Sequence, residues 1–112
     1  MSVTIYHNPK CSKSRETLAL LQEKGVTATV VEYLKTPPSA AELTRILGLL
    51  GIPAKDLLRK KEAAEAGVDP ALPDAELIAA MVAHPAVIER PIVVTATQAR
   101  IGRPPESVLE IL

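Results

Sequence analysis

The first third of the chain restricts its fold most. Ser2-Val3-Thr4-Ile5-Tyr6 alternates polar and apolar residues and carries β-branched side chains, a pattern that predicts a strand. His7-Asn8-Pro9-Lys10 breaks it. From Ser12 or Ser14 to Lys24 the residues are good helix formers, and Gly25 stands where a helix stops. Thr29-Val30-Val31-Glu32-Tyr33-Leu34 predicts a second strand. Strand, helix, strand at this spacing is a βαβ unit, with parallel strands and a right-handed crossover. Cys11 then falls at the C-terminal end of the first strand, where open α/β sheets bind their ligands.

The middle of the chain reads as helices. Lys35-Thr36-Pro37-Pro38 ends the βαβ unit, and Ser39-Ala40-Ala41-Glu42 has capping-box spacing. Leu43, Ile46, Leu47 and Leu50 follow at i, i+3, i+4 and i+7, so that helix buries one stripe before Gly51 and Pro53 close it. A short helical stretch is expected from Ala54 to about Lys61, then a polar loop ending at Pro70 and Pro73. Asp74 is expected to cap a further helix with Leu77, Ile78, Met81 and Val82 on one face, stopped by Pro85.

The last third returns to strands. Glu89-Arg90-Pro91 leads into a strand, Ile92-Val93-Val94-Thr95, and Ala99-Arg100-Ile101 is its expected hairpin partner. Arg103-Pro104-Pro105-Glu106 opens a final helix with Val108, Leu109, Ile111 and Leu112 as its apolar side. The order β-α-β, helices, β-β-α is that of the α/β thioredoxin-like fold. One such domain over residues 1–112, with a helical insertion at about 39–84, is the expected architecture.

Composition narrows the partners. The chain has no Trp or Phe, and its only aromatics are Tyr6 and Tyr33. Its core must therefore be aliphatic, and it has no platform on which to stack single-stranded bases. Lys plus Arg equals Asp plus Glu, at 13 each, so no global field steers it to nucleic acid or an acidic membrane. No apolar run approaches the roughly 20 residues of a membrane span, and the N-terminus does not read as a signal peptide. A single cysteine cannot form an internal disulfide. The expected setting is the reducing cytoplasm.

Cys11 carries the chemistry. A free cysteine with a pKa of about 8.5 is only about 3% thiolate at pH 7. Lowering that pKa by two units takes roughly 2.7 kcal/mol of preferential stabilisation. Three sources stand close in sequence: the unpaired N–H groups and dipole of the first helical turn, hydroxyl donors at Ser12 and Ser14, and positive charge at Lys10, Lys13, Arg15 and His7. An isolated cysteine is most often a small buried hydrophobe, but one flanked by Lys and Ser at a strand-to-helix turn is in a reactive setting. A phosphatase loop would need Arg six residues after Cys11, and Thr17 stands there. A dithiol centre would need Cys at Ser14. An oxidised Cys11 must therefore be resolved by an external thiol. His7 and Cys11 alone make too poor a ligand set for a metal, and none is expected. His84 reads as a helix-end residue and Met81 as core.

Arg59, Arg90 and Arg103 are the candidate anion binders. The planar guanidinium suits bidentate contacts to tetrahedral oxyanions; spacing alone leaves open whether the three converge. Taken together, Thr4-Ile5-Tyr6-His7-Asn8-Pro9-Lys10-Cys11-Ser12-Lys13-Ser14-Arg15, Asp56-Leu57-Leu58-Arg59-Lys60, His84-Pro85, Glu89-Arg90-Pro91-Ile92-Val93-Val94 and Arg103-Pro104 resemble the glutaredoxin-coupled arsenate reductase family over essentially the whole chain. The resemblance implies that Cys11 is the catalytic nucleophile and that Arg59, Arg90 and Arg103 bind arsenate. It implies that His7 and Ser14 tune the thiolate and that Pro91 is a cis-proline. It further implies glutathione as co-substrate with no bound cofactor, glutaredoxin as protein partner, a monomer, and a role in arsenic detoxification. Two other functions fit the same fold: a thiol-redox protein acting on another oxyanion or on glutathionylated substrates, and a non-enzymatic redox-sensing transcription regulator. The second usually has Cys-x-x-Cys, which Ser14 denies here.

Overall fold

The computed structural model describes residues 2–112, which form two compact units. One comprises residues 2–36 and Arg90–Leu112; the other is Pro37–Glu89. Among the described residues no helix is long and apolar enough to cross a membrane.

The first unit holds a four-stranded sheet in the order β2-β1-β3-β4. Strand β1 is Thr4–His7, and helix α1, Ser12–Glu23, connects it to the parallel strand β2, Thr29–Glu32. Strands β3, Ile92–Val94, and β4, Ala99–Ile101, form an antiparallel hairpin, with β3 running antiparallel to β1. The register sets Ile5 beside Val93 and Val93 beside Arg100. Because side chains alternate between faces, Val3, Ile5 and Val93 share one face, and Leu21 of α1 packs there with Val108 and Ile111. This aliphatic cluster is the core predicted from the lack of aromatics. The arrangement is thioredoxin-like.

The C-terminal segment differs from expectation. Pro105–Ile111 is a 3₁₀ helix, and it buries Pro105, Val108 and Ile111. Their spacing of three matches the three-residue turn of that helix. Leu109 is only half-buried and Leu112 is exposed.

In the second unit the Ser39 capping box is present. Ser39 Oγ accepts from the Glu42 N–H at 3.1 Å, and Glu42 reaches back to the Ser39 backbone. Helix α2, Ala40–Leu50, buries Leu43, Ile46 and Leu47 and ends at Gly51, whose left-handed φ of 70° suits glycine. The helix expected over 54–61 is interrupted. Ala54–Leu57 is a 3₁₀ turn, Leu58 is extended, and helix α3 occupies Lys60–Glu65. Leu58 is drawn out because it bridges Ile88 antiparallel, flanked by Arg59 N–H to Val87 C=O at 2.8 Å and Glu89 N–H to Leu57 C=O at 2.7 Å. That ladder also carries the inserted unit past residue 84, to Glu89. Helix α4 is Asp74–Ala83; Pro73, not Asp74, holds its N-cap position, so Asp74 acts within the first turn, where a carboxylate favours the dipole. Leu77 and Met81 are its buried seam, while Val82 is exposed. Pro85 starts a short 3₁₀ turn, Pro85–Val87.

Candidate active site

Between the end of β1 at His7 and the start of α1 at Ser12 the chain turns sharply, and buried Asn8 organises the turn. Its carbonyl accepts the Cys11 N–H at 3.0 Å, its Oδ1 accepts the Lys10 N–H at 3.0 Å, and its own N–H donates to Ser14 Oγ at 3.0 Å. Cys11 takes the N-cap position in an extended conformation, φ −92° and ψ 123°, and its carbonyl accepts the Arg15 N–H at 3.0 Å. Its half-buried sulfur therefore stands where a capping oxygen would stand. It closes no formal capping bond, yet the N–H groups of Ser14 and Lys13 favour its anion.

Two arginines complete the surroundings of the sulfur. Arg103 donates from Nη2 to Cys11 Sγ at 3.4 Å and from Nε to the Arg90 carbonyl at 2.8 Å. Burial alone pushes the Cys11 thiol up. The Ser14 N–H, the Arg90 side chain, the Lys13 N–H and the charge of Arg103 outweigh it and hold the thiol below its ordinary value.

His7 and Ser14 act differently from the sequence-based expectation. His7 is buried, with Nδ1 2.6 Å from Ser14 Oγ. Burial lowers its pKa, opposed by Glu32 and assisted by Arg15, and the net shift is downward. The shift favours the neutral ring, so His7 is a poor source of positive charge for the site. Ser14 Oγ accepts from the Asn8 N–H and shares a second hydrogen bond with His7 Nδ1, whose direction follows the imidazole tautomer. The hydroxyl is thus committed away from sulfur, and Ser14 reaches the thiolate through its backbone N–H. Ser12 is exposed and forms no hydrogen bond to the sulfur. Two of the nearby cations are also otherwise engaged: Arg15 Nη1 donates to the Pro9 carbonyl at 2.9 Å, and Lys13 pairs with Glu16 at 3.4 Å. The charge at the thiol comes from Arg90 and Arg103.

The β3–β4 hairpin supplies those arginines. The Arg90–Pro91 and Arg103–Pro104 peptides are both cis. Gly102 donates its N–H to the Pro91 carbonyl at 2.9 Å. A Cβ at Gly102 would lie 2.5 Å from Thr17 Oγ1 and 2.8 Å from Pro91 Cγ, so only glycine fits against α1 there. Thr17 is fully buried, and its hydroxyl returns to the Lys13 carbonyl at 2.8 Å. Arg59 lies in the other unit, where it donates to Glu62 and Glu89. Its pKa is lowered by burial but raised further by the two carboxylates, so it stays charged.

Sequence reasoning missed Asn8, Thr17, Gly102, Glu62 and Glu89. Gly102 carried a usable signal, because a lone glycine at a strand end often marks a close backbone approach. Among the described residues no cluster of three metal-ligating side chains forms.

The ArsC family model matches residues 6–111. The uncharacterized protein YfgD of Escherichia coli (strain K12) is 54% identical, with 98% of this chain and 96% of that protein covered. The arsenate reductase of Haemophilus influenzae is 49% identical, with 100% of each covered. The solved structure of the arsenate reductase from Vibrio cholerae is similar with a TM-score of 0.92 at 56% identity, covering 100% of this chain and 98% of that one. With a full-length match in sequence and in fold, the chain belongs to the ArsC family.

Proposed function

We propose that this protein is an arsenate reductase that uses Cys11 as nucleophile and takes its second thiol from glutathione. The observation that supports this most is the 3.4 Å contact between Arg103 Nη2 and Cys11 Sγ. It pairs an anion-binding fork with a thiol already biased toward its anion. The Cys11 thiolate attacks arsenic, one arsenic–oxygen bond breaks, and the departing oxygen takes protons and leaves as water. Arg90 and Arg103, with Arg59 as the family resemblance suggests, neutralise the oxyanion and the charge that develops on it. Pro91 lies between Arg90 and the strand that follows and holds that turn.

Glutathione then attacks the Cys11–arsenic adduct. A sulfur–sulfur bond forms as the sulfur–arsenic bond breaks; the electron pair stays on arsenic, which goes from As(V) to As(III) and leaves as arsenite. The thiol proton of glutathione goes to the arsenite oxygen. Cys11 is left as a mixed disulfide, which a glutaredoxin thiolate attacks, releasing the Cys11 thiol and carrying the glutathionyl group away. With one cysteine in the chain the scheme needs no internal partner. The scheme uses one thiol of one copy, which fits a monomer, and its use of glutathione fits the cytoplasm.

The test is arsenate-dependent NADPH oxidation with glutathione, glutaredoxin and glutathione reductase supplied. Turnover that disappears in Cys11→Ser is expected. No turnover from folded protein with reduced Cys11 would overturn the assignment.

A further inference from the structure

The helical unit holds an arrangement that the reaction scheme leaves unexplained. Arg59 is the N-cap residue of α3, and its guanidinium is gripped from two directions. Nε donates to Glu62 Oε2 at 2.8 Å, and Nη1 donates to Glu89 Oε1 at 3.0 Å. Glu62 lies in the first turn of the same helix. Glu89 is brought from far along the chain by the backbone ladder that pairs Leu57 with Glu89 and Arg59 with Val87. The ladder fixes the backbones of Arg59 and Glu89, and the carboxylates fix the guanidinium plane.

The arrangement is costly for an anion site if only charge is counted. Two carboxylates around one cation leave a net negative charge, which repels an incoming oxyanion. What they supply is orientation. Arg59, Glu62 and Glu89 are 25%, 19% and 22% exposed, so their contacts are screened less than those of a surface pair. A free arginine has many rotamers, and a bidentate contact needs its donors in one plane at one angle. With Nε and one Nη1 hydrogen engaged, both Nη2 hydrogens and the second Nη1 hydrogen are left for a ligand.

We propose that Glu62 and Glu89 are positioning residues that fix the guanidinium of Arg59 for a tetrahedral oxyanion. The inference rests on the reading of Arg59 as one of the arsenate-binding arginines. It assigns no contact between either carboxylate and the substrate.

The test uses the intact protein with Glu62→Ala, Glu62→Gln, Glu89→Ala and Glu89→Gln. In the coupled assay each Ala variant should raise the KM for arsenate about tenfold, the scale of a lost hydrogen bond to a charged group, with little change in kcat. Each Gln variant should recover most of the loss, because the amide oxygen still accepts the hydrogen bond. An NMR spectrum of the arginine Nε–H groups gives a second readout, with the Arg59 signal identified by its loss in Arg59→Lys. That signal should be sharp in the parent, shift on adding arsenate, and broaden in Glu62→Ala. A fall in KM in the Ala variants would overturn the proposal, because the carboxylates would then only oppose the anion. An unchanged KM with lowered thermal stability would overturn it as well, leaving a purely structural role. If the parent protein does not turn over arsenate, the arsenate reading fails on its own. The NMR arm then decides: an arsenate-induced shift that is lost in Glu62→Ala supports positioning, and no shift overturns it.

Discussion

A cysteine at the N-cap of α1 gains its anionic bias from four small effects acting on one sulfur. The backbone N–H groups of Ser14 and Lys13 and the side chains of Arg90 and Arg103 together exceed the opposing cost of burial. The rate of Cys11 alkylation against pH should therefore reach half its plateau below the value of a free cysteine. The sign follows from the charge: removing a cation disfavours the thiolate, so Arg103→Ala should move that midpoint up. Ser14→Ala separates two roles of one residue. It keeps the N–H that faces sulfur but deprives the buried Asn8 N–H of its acceptor. It should lower stability by about 1–3 kcal/mol, the cost of an orphaned buried donor, while moving the alkylation midpoint less than Arg103→Ala does. A midpoint that rises as far in Ser14→Ala would mean that the hydroxyl, not the backbone, serves the thiolate. The local sequence showed that cations were near; it could not show that Arg15 and Lys13 would be engaged by Pro9 and Glu16.

The β3–β4 hairpin is the element that assembles the site. Its register pairs Ile92 with Ile101, and the same register continued outward sets Pro91 beside Gly102 and Arg90 beside Arg103. The observed register, with Val94 beside Ala99, brings those two arginines together; the expected hairpin carried no register, and spacing along the chain did not display it. Gly102 keeps the hairpin against α1. Gly102→Ala should cost about 1–3 kcal/mol, as overpacking does, and should slow Cys11 alkylation by displacing Arg103. Unfolding by denaturant measures the first effect; an unchanged midpoint would show that Thr17 and Pro91 yield easily. Other elements were legible to different degrees. The Ser39 capping box stands as read, because its hydrogen bonds are local. The break at Leu58 was not legible, because a bridge to Ile88, far along the chain, overrides the helical preference of its neighbours. The terminal helix was read with the wrong pitch. Val108 and Ile111 fit a period of 3 or 3.6 equally over so short a stretch, and the burial of Pro105 with the exposure of Leu112 distinguishes them.

At the scale of the whole molecule the sheet unit carries Cys11, Arg90 and Arg103, and the helical unit carries Arg59 with its two glutamates. The sheet unit was legible from the βαβ start and the hairpin. The helical pattern in the sequence stops near residue 84, and the ladder from Leu57 to Glu89 that extends the unit leaves no local signal. The substrate was never legible from physics alone, since a thiolate beside two arginines suits many oxyanions; the proposal of arsenate rests on relatives that carry the name arsenate reductase. The absence of a second cysteine makes the central claim unusually exposed to test. Intact-mass spectrometry of the reduced protein after incubation with arsenate and glutathione, without glutaredoxin, should find one glutathionyl group on Cys11, formed only when arsenate is present. A protein that stays unmodified, or that gains the group equally without arsenate, would contradict the account.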